Sequence, residues 1–166
     1  MKKMKKTDEE VPYFEDEDSK LHPGLHVVER PTINVILWNP RTNEFVCLDW
    51  QKFGWKTFII GGIEEGESAE TAASREIEEE TRYTDVEFVA ELGKLRSGYF
   101  AAHKNENRIA NTTGFLFKLT SDGQKVNEDA AALPHVFVWI PRERVADYLT
   151  PSSQKYLWEK AQPFLS

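Results

Sequence analysis

The residues with the clearest capacity for chemistry are four side chains in one short stretch, Arg75-Glu76-Ile77-Glu78-Glu79-Glu80. At 100° per residue on an α-helix, Glu76, Glu79 and Glu80 fall within an arc of about 100°. Ala69, Ala72, Ala73 and Ile77 share that half of the helix, whereas Glu70, Thr71, Ser74, Glu78 and Thr81 make up a solvated face opposite. A run of glutamates is ordinarily surface, because charges are rarely buried. Here three of them extend the apolar stripe and point inward. Three like charges held together cost free energy unless a cation joins them, and ligands made only of oxygen suit Mg²⁺ or Mn²⁺ rather than zinc. Arg75, one turn before Glu79, is placed to orient it as an i,i+4 pair.

The elements around this helix must hold it in place. Ser68 is the expected N-cap of a helix over Ser68–Thr81. The glycine loop Gly61-Gly62 just before it lets backbone approach a ligand and brings amide groups to the positive helix N-terminus. Strand patterns are expected at Leu25–Glu29, Thr32–Trp38, Glu44–Trp50, Thr57–Ile60, Val86–Leu92, Leu95–Ala102, Thr113–Thr120 and Val136–Ile140. Polar loops are expected at Lys104–Thr112 and Ser121–Pro134, and two further helices at Arg142–Leu149 and Ser152–Ala161. This order suggests an α/β fold in which a mixed sheet carries helices on both faces.

The 166 residues fit one domain, and 40% hydrophobic and 12% aromatic content is an ordinary globular composition. A net charge of −7 argues against a nucleic-acid partner but not against a phosphate-bearing substrate, since a bound cation inverts the local sign. The single Cys47 lies in a strand pattern and reads as a buried, inert thiol. No apolar run reaches a membrane-span length of about 20 residues, and Met1–Lys6 precedes no apolar signal segment, so the expected location is the cytoplasm. In residues 1–20, the four lysines of Met1–Lys6 are followed by seven acids between Asp8 and Asp18, which reads as a flexible or loosely docked tail ahead of a single domain over 21–166.

The stretch from Gly61 to Tyr83 resembles the signature of the Nudix hydrolases: Gly, five residues, Glu, seven residues, then Arg-Glu-apolar-any-Glu-Glu-any-Gly-apolar. Gly61, Glu67, Arg75, Glu76, Ile77, Glu79, Glu80 and Tyr83 match, while Arg82 stands where the family has a glycine that ends the helix in the left-handed region. The resemblance implies a Nudix-type α/β/α sandwich. It also implies Mg²⁺ or Mn²⁺ held by Glu76, Glu79 and Glu80 with help from Glu67 and the Gly61 carbonyl, and hydrolysis of a phosphoanhydride bond in a nucleoside diphosphate linked to another moiety. Family members often place the general base in a variable loop, where Glu128 and Asp129 are the candidates here.

Weaker signals remain open on two readings each. Lys104 and Arg108 could supply phosphate or ribose contacts, or belong to a polar hairpin connection. Trp50 and Trp55 flank the approach to the glycine segment, and one of them, Trp55 for choice, could stack on a base or simply fill the core. His22, His26 and His135 show no mutual metal spacing and read as structural. Trp50–Glu67 with the His103–Arg108 segment is also similar to Nudix segments attached to some leucyl-tRNA synthetases. That likeness motivates a second hypothesis, a Nudix-fold ligand-sensing or interaction module with little turnover. A small-molecule substrate and a homodimer complete the expectations.

Overall fold

The computed structural model describes residues 10–126 and 135–165. Among them the strands are β1 (Tyr13–Glu15), β2 (Val27–Asn39), β3 (Glu44–Trp50), β4 (Trp55–Thr57), β5 (Ile59–Gly62), β6 (Val86–Ala101), β7 (Glu106–Leu119) and β8 (Val136–Pro141). The helices are α1 (Ala69–Thr81), α2 (Arg142–Tyr148) and α3 (Ser152–Ala161). The sheet runs β1-β6-β7-β2-β3-β4, with β5 added to β2 and β8 to β3. The β1/β6 and β2/β7 pairs are parallel and the others antiparallel, so the sheet is mixed as expected.

Strand alternation sorts the core into two layers. Ile33, Val35 and Leu37 of β2, Val46 and Leu48 of β3, and Phe115 and Phe117 of β7 pack with Ala72, Ala73 and Ile77 of α1. The alternate positions Ile36, Phe45, Cys47 and Leu116 pack with Val145 of α2 and Leu157, Trp158 and Ala161 of α3. One helix covers one face and two cover the other, which is the expected α/β/α sandwich. Cys47 is fully buried, and burial pushes its thiol up to about 12, in keeping with an inert core residue.

Several expected boundaries shift. The two strands read at Val86–Leu92 and Leu95–Ala102 are one long β6, whose register slips at Phe88/Ala90 and Glu91/Gly93 through β-bulges. The loop expected at Lys104–Thr112 is mostly strand, because β7 starts at Glu106 and pairs with β6 on one side and β2 on the other. The tail expected over residues 1–20 is also corrected for the part that is described. Tyr13–Glu15 adds to the edge of β6, Pro12 accepts a hydrogen bond from Arg96 N at 2.8 Å, and Phe14 packs on the α3 layer with its ring 5.2 Å from that of Tyr156. Asp16 then accepts from Ser152 N at 3.2 Å. Two aromatic residues in an acidic segment suffice to dock it where a strand edge is unpaired.

The C-terminus of α1 falls at Arg82, which takes φ 66° and ψ 5° and donates its N–H to Glu78 O at 2.8 Å. A left-handed residue is what the family glycine would provide there, and Arg82 supplies it despite its Cβ. Arg82→Gly is expected to stabilise the domain by up to about 1 kcal/mol in urea denaturation; a lowered midpoint would show that contacts of the arginine side chain outweigh the backbone strain. Phe14→Ala is expected to destabilise by about 2 kcal/mol, and deletion of residues 1–20 by more, since each strips packing from the α3 layer. Thermal melts unchanged in both would return the segment to the status of a loose tail.

Candidate active site

The turn from β5 into α1 gathers the charged residues. Gly61 lies in β5, paired with Ile33, and is strand rather than loop. A Cβ at that position would overlap the Glu76 carboxylate, so the glycine is required by a protein side chain before any ligand is considered. Gly66 turns the chain at φ +78°. Ser68 then caps α1, its Oγ accepting from Thr71 N at 3.1 Å. The helix buries Ala72, Ala73 and Ile77, and Glu76 with them.

Arg75 is the hub. Its Nε and Nη2 donate to the two Glu67 oxygens at 2.8 and 2.9 Å in a two-pronged grip. Nη2 also donates to Gly62 O at 2.9 Å, and Nη1 reaches Glu76 Oε1 at 2.9 Å and both Glu79 oxygens at 3.3 Å. The expected i,i+4 pairing with Glu79 is present, but the shorter bonds go to Glu67 and Glu76. The arginine holds the Glu67 carboxyl down to about 2, helped by the Glu64 N–H at 3.1 Å. Glu76 moves the other way, up to about 7, because burial and the charges of Glu79 and Glu80 outweigh its bond to Arg75.

The three carboxylates of the stripe differ in exposure. Glu76 and Glu80 are buried, whereas the Glu79 side chain is 54% exposed. Glu80 is hydrogen-bonded to His135 Nε2, and His135 is itself buried with Trp50 against its ring at 4.1 Å between centroids. His135 was read as structural from sequence. Its tie to Glu80 links the start of β8 to α1, a pairing that no sequence spacing reveals. Glu78, on the far side, pairs with Lys125 at 2.7 Å in the open. Glu128 and Asp129, the loop candidates for a general base, lie outside the described residues.

Among the described residues no three His, Cys, Asp or Glu side chains converge as a ready set of metal ligands. The reason is visible: Arg75 occupies Glu67 and reaches Glu76 and Glu79, and His135 engages Glu80. The donor chemistry nevertheless fits a hard divalent cation. Glu76, Glu79, Glu80 and Glu67 offer anionic oxygen, the kind of donor such a cation takes.

Beside this cluster opens a cavity of about 980 Å³. Strand alternation places it across the sheet: Ile60 lines the cavity while its neighbour Gly61 meets Glu76 on the other face. Trp50 belongs to both sides, since it lines the cavity, donates to Thr57 Oγ1 at 2.9 Å and packs on His135. Of the residues expected to bind substrate, Trp55 and Arg108 line the cavity and Lys104 does not. Arg108 is already paired, its Nε donating to Glu106 at 2.9 Å. Asn34 and residues 16–22 also line the cavity and carried no signal in the sequence.

Nudix hydrolase 27, chloroplastic, of Arabidopsis thaliana is 36% identical over 90 residues; the match spans 48% of this chain and 40% of that relative's length. The structure superposes on the Ap4A hydrolase of C. elegans with a TM-score of 0.60 at 19% identity, over 84% of this chain and 100% of that one. It superposes on the dihydroneopterin triphosphate pyrophosphohydrolase of E. coli with a TM-score of 0.62 at 18% identity, over 83% and 98%. At those identities the two structures speak for the fold. Residues 28–159 match the NUDIX domain model, well over half of the sequence, and the chain belongs to that family.

Proposed function

We propose that this protein is a Mg²⁺- or Mn²⁺-dependent pyrophosphohydrolase acting on a nucleotide-type small molecule, a nucleoside diphosphate linked to another moiety. The observation that carries the reading is the placement of Glu76, Glu79, Glu80 and the Arg75–Glu67 pair at the β5–α1 turn, one residue along the strand from a cavity large enough for a nucleotide. Glu76, Glu79 and Glu80 would hold the cation, with Glu67 and the Gly61 carbonyl. When bound, a divalent cation polarises phosphoryl oxygens and lowers the pKa of a bound water.

The remaining work falls to the chain itself. Arg75 fixes the Glu67 carboxylate and the Gly62 carbonyl in one place, so that β5 and α1 present their oxygens as a unit. His135 holds the Glu80 carboxylate. The cavity orients the part of the substrate that does not react, which spends binding energy on alignment at the phosphorus. Ap4A and dihydroneopterin triphosphate, taken from the names of the two structural neighbours, are the first compounds to screen. One observation favours a second reading, a ligand-sensing module with little turnover: the described carboxylates are engaged by Arg75 and His135 rather than converging on one point. Saturable ligand binding without product across a broad panel of phosphoanhydrides would select it.

Removal of divalent metal by EDTA is expected to abolish hydrolysis, and added Mg²⁺ or Mn²⁺ to restore it; full turnover by metal-stripped protein would remove the central claim. Glu79→Gln and Glu80→Gln are each expected to lower kcat by orders of magnitude with the fold retained, because each deletes a hard anionic oxygen donor. Glu78→Gln, which loses only an exposed pair with Lys125, is expected to leave the rate nearly unchanged. Equal sensitivity of Glu78 and Glu79 in a steady-state assay would refute the assignment of roles on α1. His135→Gln is expected to raise the Mg²⁺ concentration needed for half-maximal activity, a shift that loss of packing alone would not produce.

A further inference from the structure

The plane of a buried histidine ring is ordinarily set by a hydrogen bond at each of its two nitrogens. His135 has only one of them. Its Nε2 is bonded to Glu80, but its buried Nδ1 has no hydrogen-bond partner among the described residues. The orientation of the ring is therefore left to packing, and the side chain packed on it is Trp50, 4.1 Å away between ring centroids and tilted by 49°. The sheet brings the two rings together. β3 and β8 are antiparallel with Asp49 opposite Val136, and one further step of that register puts Trp50 opposite His135. Side chains at directly opposed strand positions are close enough to touch.

Trp50 is itself pinned by buried polar groups. Its indole Nε1 donates to Thr57 Oγ1 at 2.9 Å, and the same hydroxyl donates to Phe58 O at 2.7 Å. A hydroxyl carries one proton, and with that proton on Phe58 O it can only accept toward Trp50, which is what an indole N–H requires. Thr57 is 1% exposed, so this bond has no competition from bulk water. Phe58 N in turn donates to Oε1 of the buried Gln154 of α3 at 3.0 Å. A continuous line of contacts thus crosses the molecule from Gln154 through Phe58, Thr57, Trp50 and His135 to Glu80 on α1.

We infer that Thr57 and Trp50 are positioning residues for the cation site: the Thr57 hydroxyl fixes the Trp50 indole, the indole fixes the plane of the His135 ring, and the ring aims the Glu80 carboxylate. The inference rests on the proposed hydrolase reading only in taking Glu80 to hold the cation. A merely structural role and a positioning role part company on one point. Loss of packing lowers stability whatever the cation does, whereas loss of aim lowers cation affinity and is recovered by any side chain that restores the hydroxyl.

Titration of the full chain with Mn²⁺ in the absence of substrate, read by electron paramagnetic resonance, tests this apart from turnover. Thr57→Val and Trp50→Phe remove the same hydrogen bond from its two ends. Each is expected to weaken Mn²⁺ binding by about tenfold, the scale for groups that orient a metal ligand, and the two together by no more than either alone. Thr57→Ser keeps the hydroxyl and is expected to bind Mn²⁺ as the unmutated chain does. In a Glu80→Gln background neither Thr57→Val nor Trp50→Phe is expected to change the affinity further, because the carboxylate they aim is gone. Melting temperatures that fall while Mn²⁺ affinity stays put would overturn the inference. So would equal weakening by Thr57→Ser and Thr57→Val, or a full effect persisting in the Glu80→Gln background.

A second readout needs no metal. With isotope-labelled histidine in EDTA, the nuclear magnetic resonance signal of His135 Nε2 reports its bond to Glu80. It is expected to move in Thr57→Val and to stay in place in Thr57→Ser. Should the unmutated chain bind no Mn²⁺, the cation reading falls and this comparison alone decides the positioning, which a signal unmoved by Thr57→Val overturns. If Thr57→Val fails to fold, Trp50→Phe carries both tests, since it removes the same bond and keeps an aromatic ring.

Discussion

The Arg75 guanidinium is the constraint on which the site depends. Four carboxylates, Glu67, Glu76, Glu79 and Glu80, are brought together by one turn and one helix face, and their repulsion would push the turn off the helix. Arg75 answers with two parallel bonds to Glu67, a bond to Glu76 and a bond to the Gly62 carbonyl. That last bond matters most for architecture, because it ties the carboxylate cluster to backbone at the end of β5. A lysine offers a point charge and no planar fork, so it could not hold two glutamates and a carbonyl at once.

The sheet explains how one protein can present two different surfaces at adjacent residues. Successive strand residues face opposite ways, so Ile60 faces the cavity and Gly61 faces Glu76. The β5 strand thus lies between an aromatic-lined cavity on one face and the carboxylate cluster on the other. Trp50 and His135 form the protein's own bridge from the cavity wall, through two tilted rings in contact, to the Glu80 carboxylate.

What could be read from the sequence and what could not follow one physical distinction. The helix over Ser68–Thr81, its Ser68 cap, its buried face and its left-handed end at Arg82 were legible, because helical periodicity and capping are local. So were the buried strands around Ile36, Phe45 and Leu116, whose alternation reports a core face. The polar start of β7 was not. Arg108, Ala110 and Thr112 face a cavity rather than a core, so the segment lacked the apolar alternation by which a strand is recognised. The docking of Phe14, the tie between Glu80 and His135, and the role of Asn34 in the cavity floor depend on contacts between distant parts of the chain. Composition even pointed the wrong way for residues 10–20, since charge density conceals how little apolar surface is needed to add a strand to an open edge.

The same distinction turns a misreading into information. A strand that reads as a loop is one whose side chains answer to something other than the core. In β7 the polar residues of the first half give way to Phe115, Leu116 and Phe117 in the second, and the change marks where the cavity ends and the packed interior begins. β2 behaves alike: Thr32 and Asn34 line the cavity, and Ile36, two residues further on the same face, enters the core. Because β2 and β7 are parallel and in register, with Asn34 beside Gly114 and Thr32 beside Thr112, the two polar halves lie side by side as one floor. Hydrophobic substitutions there would fill a recess rather than complete a core, which is why the sequence holds polar residues at strand positions that would otherwise favour valine or isoleucine.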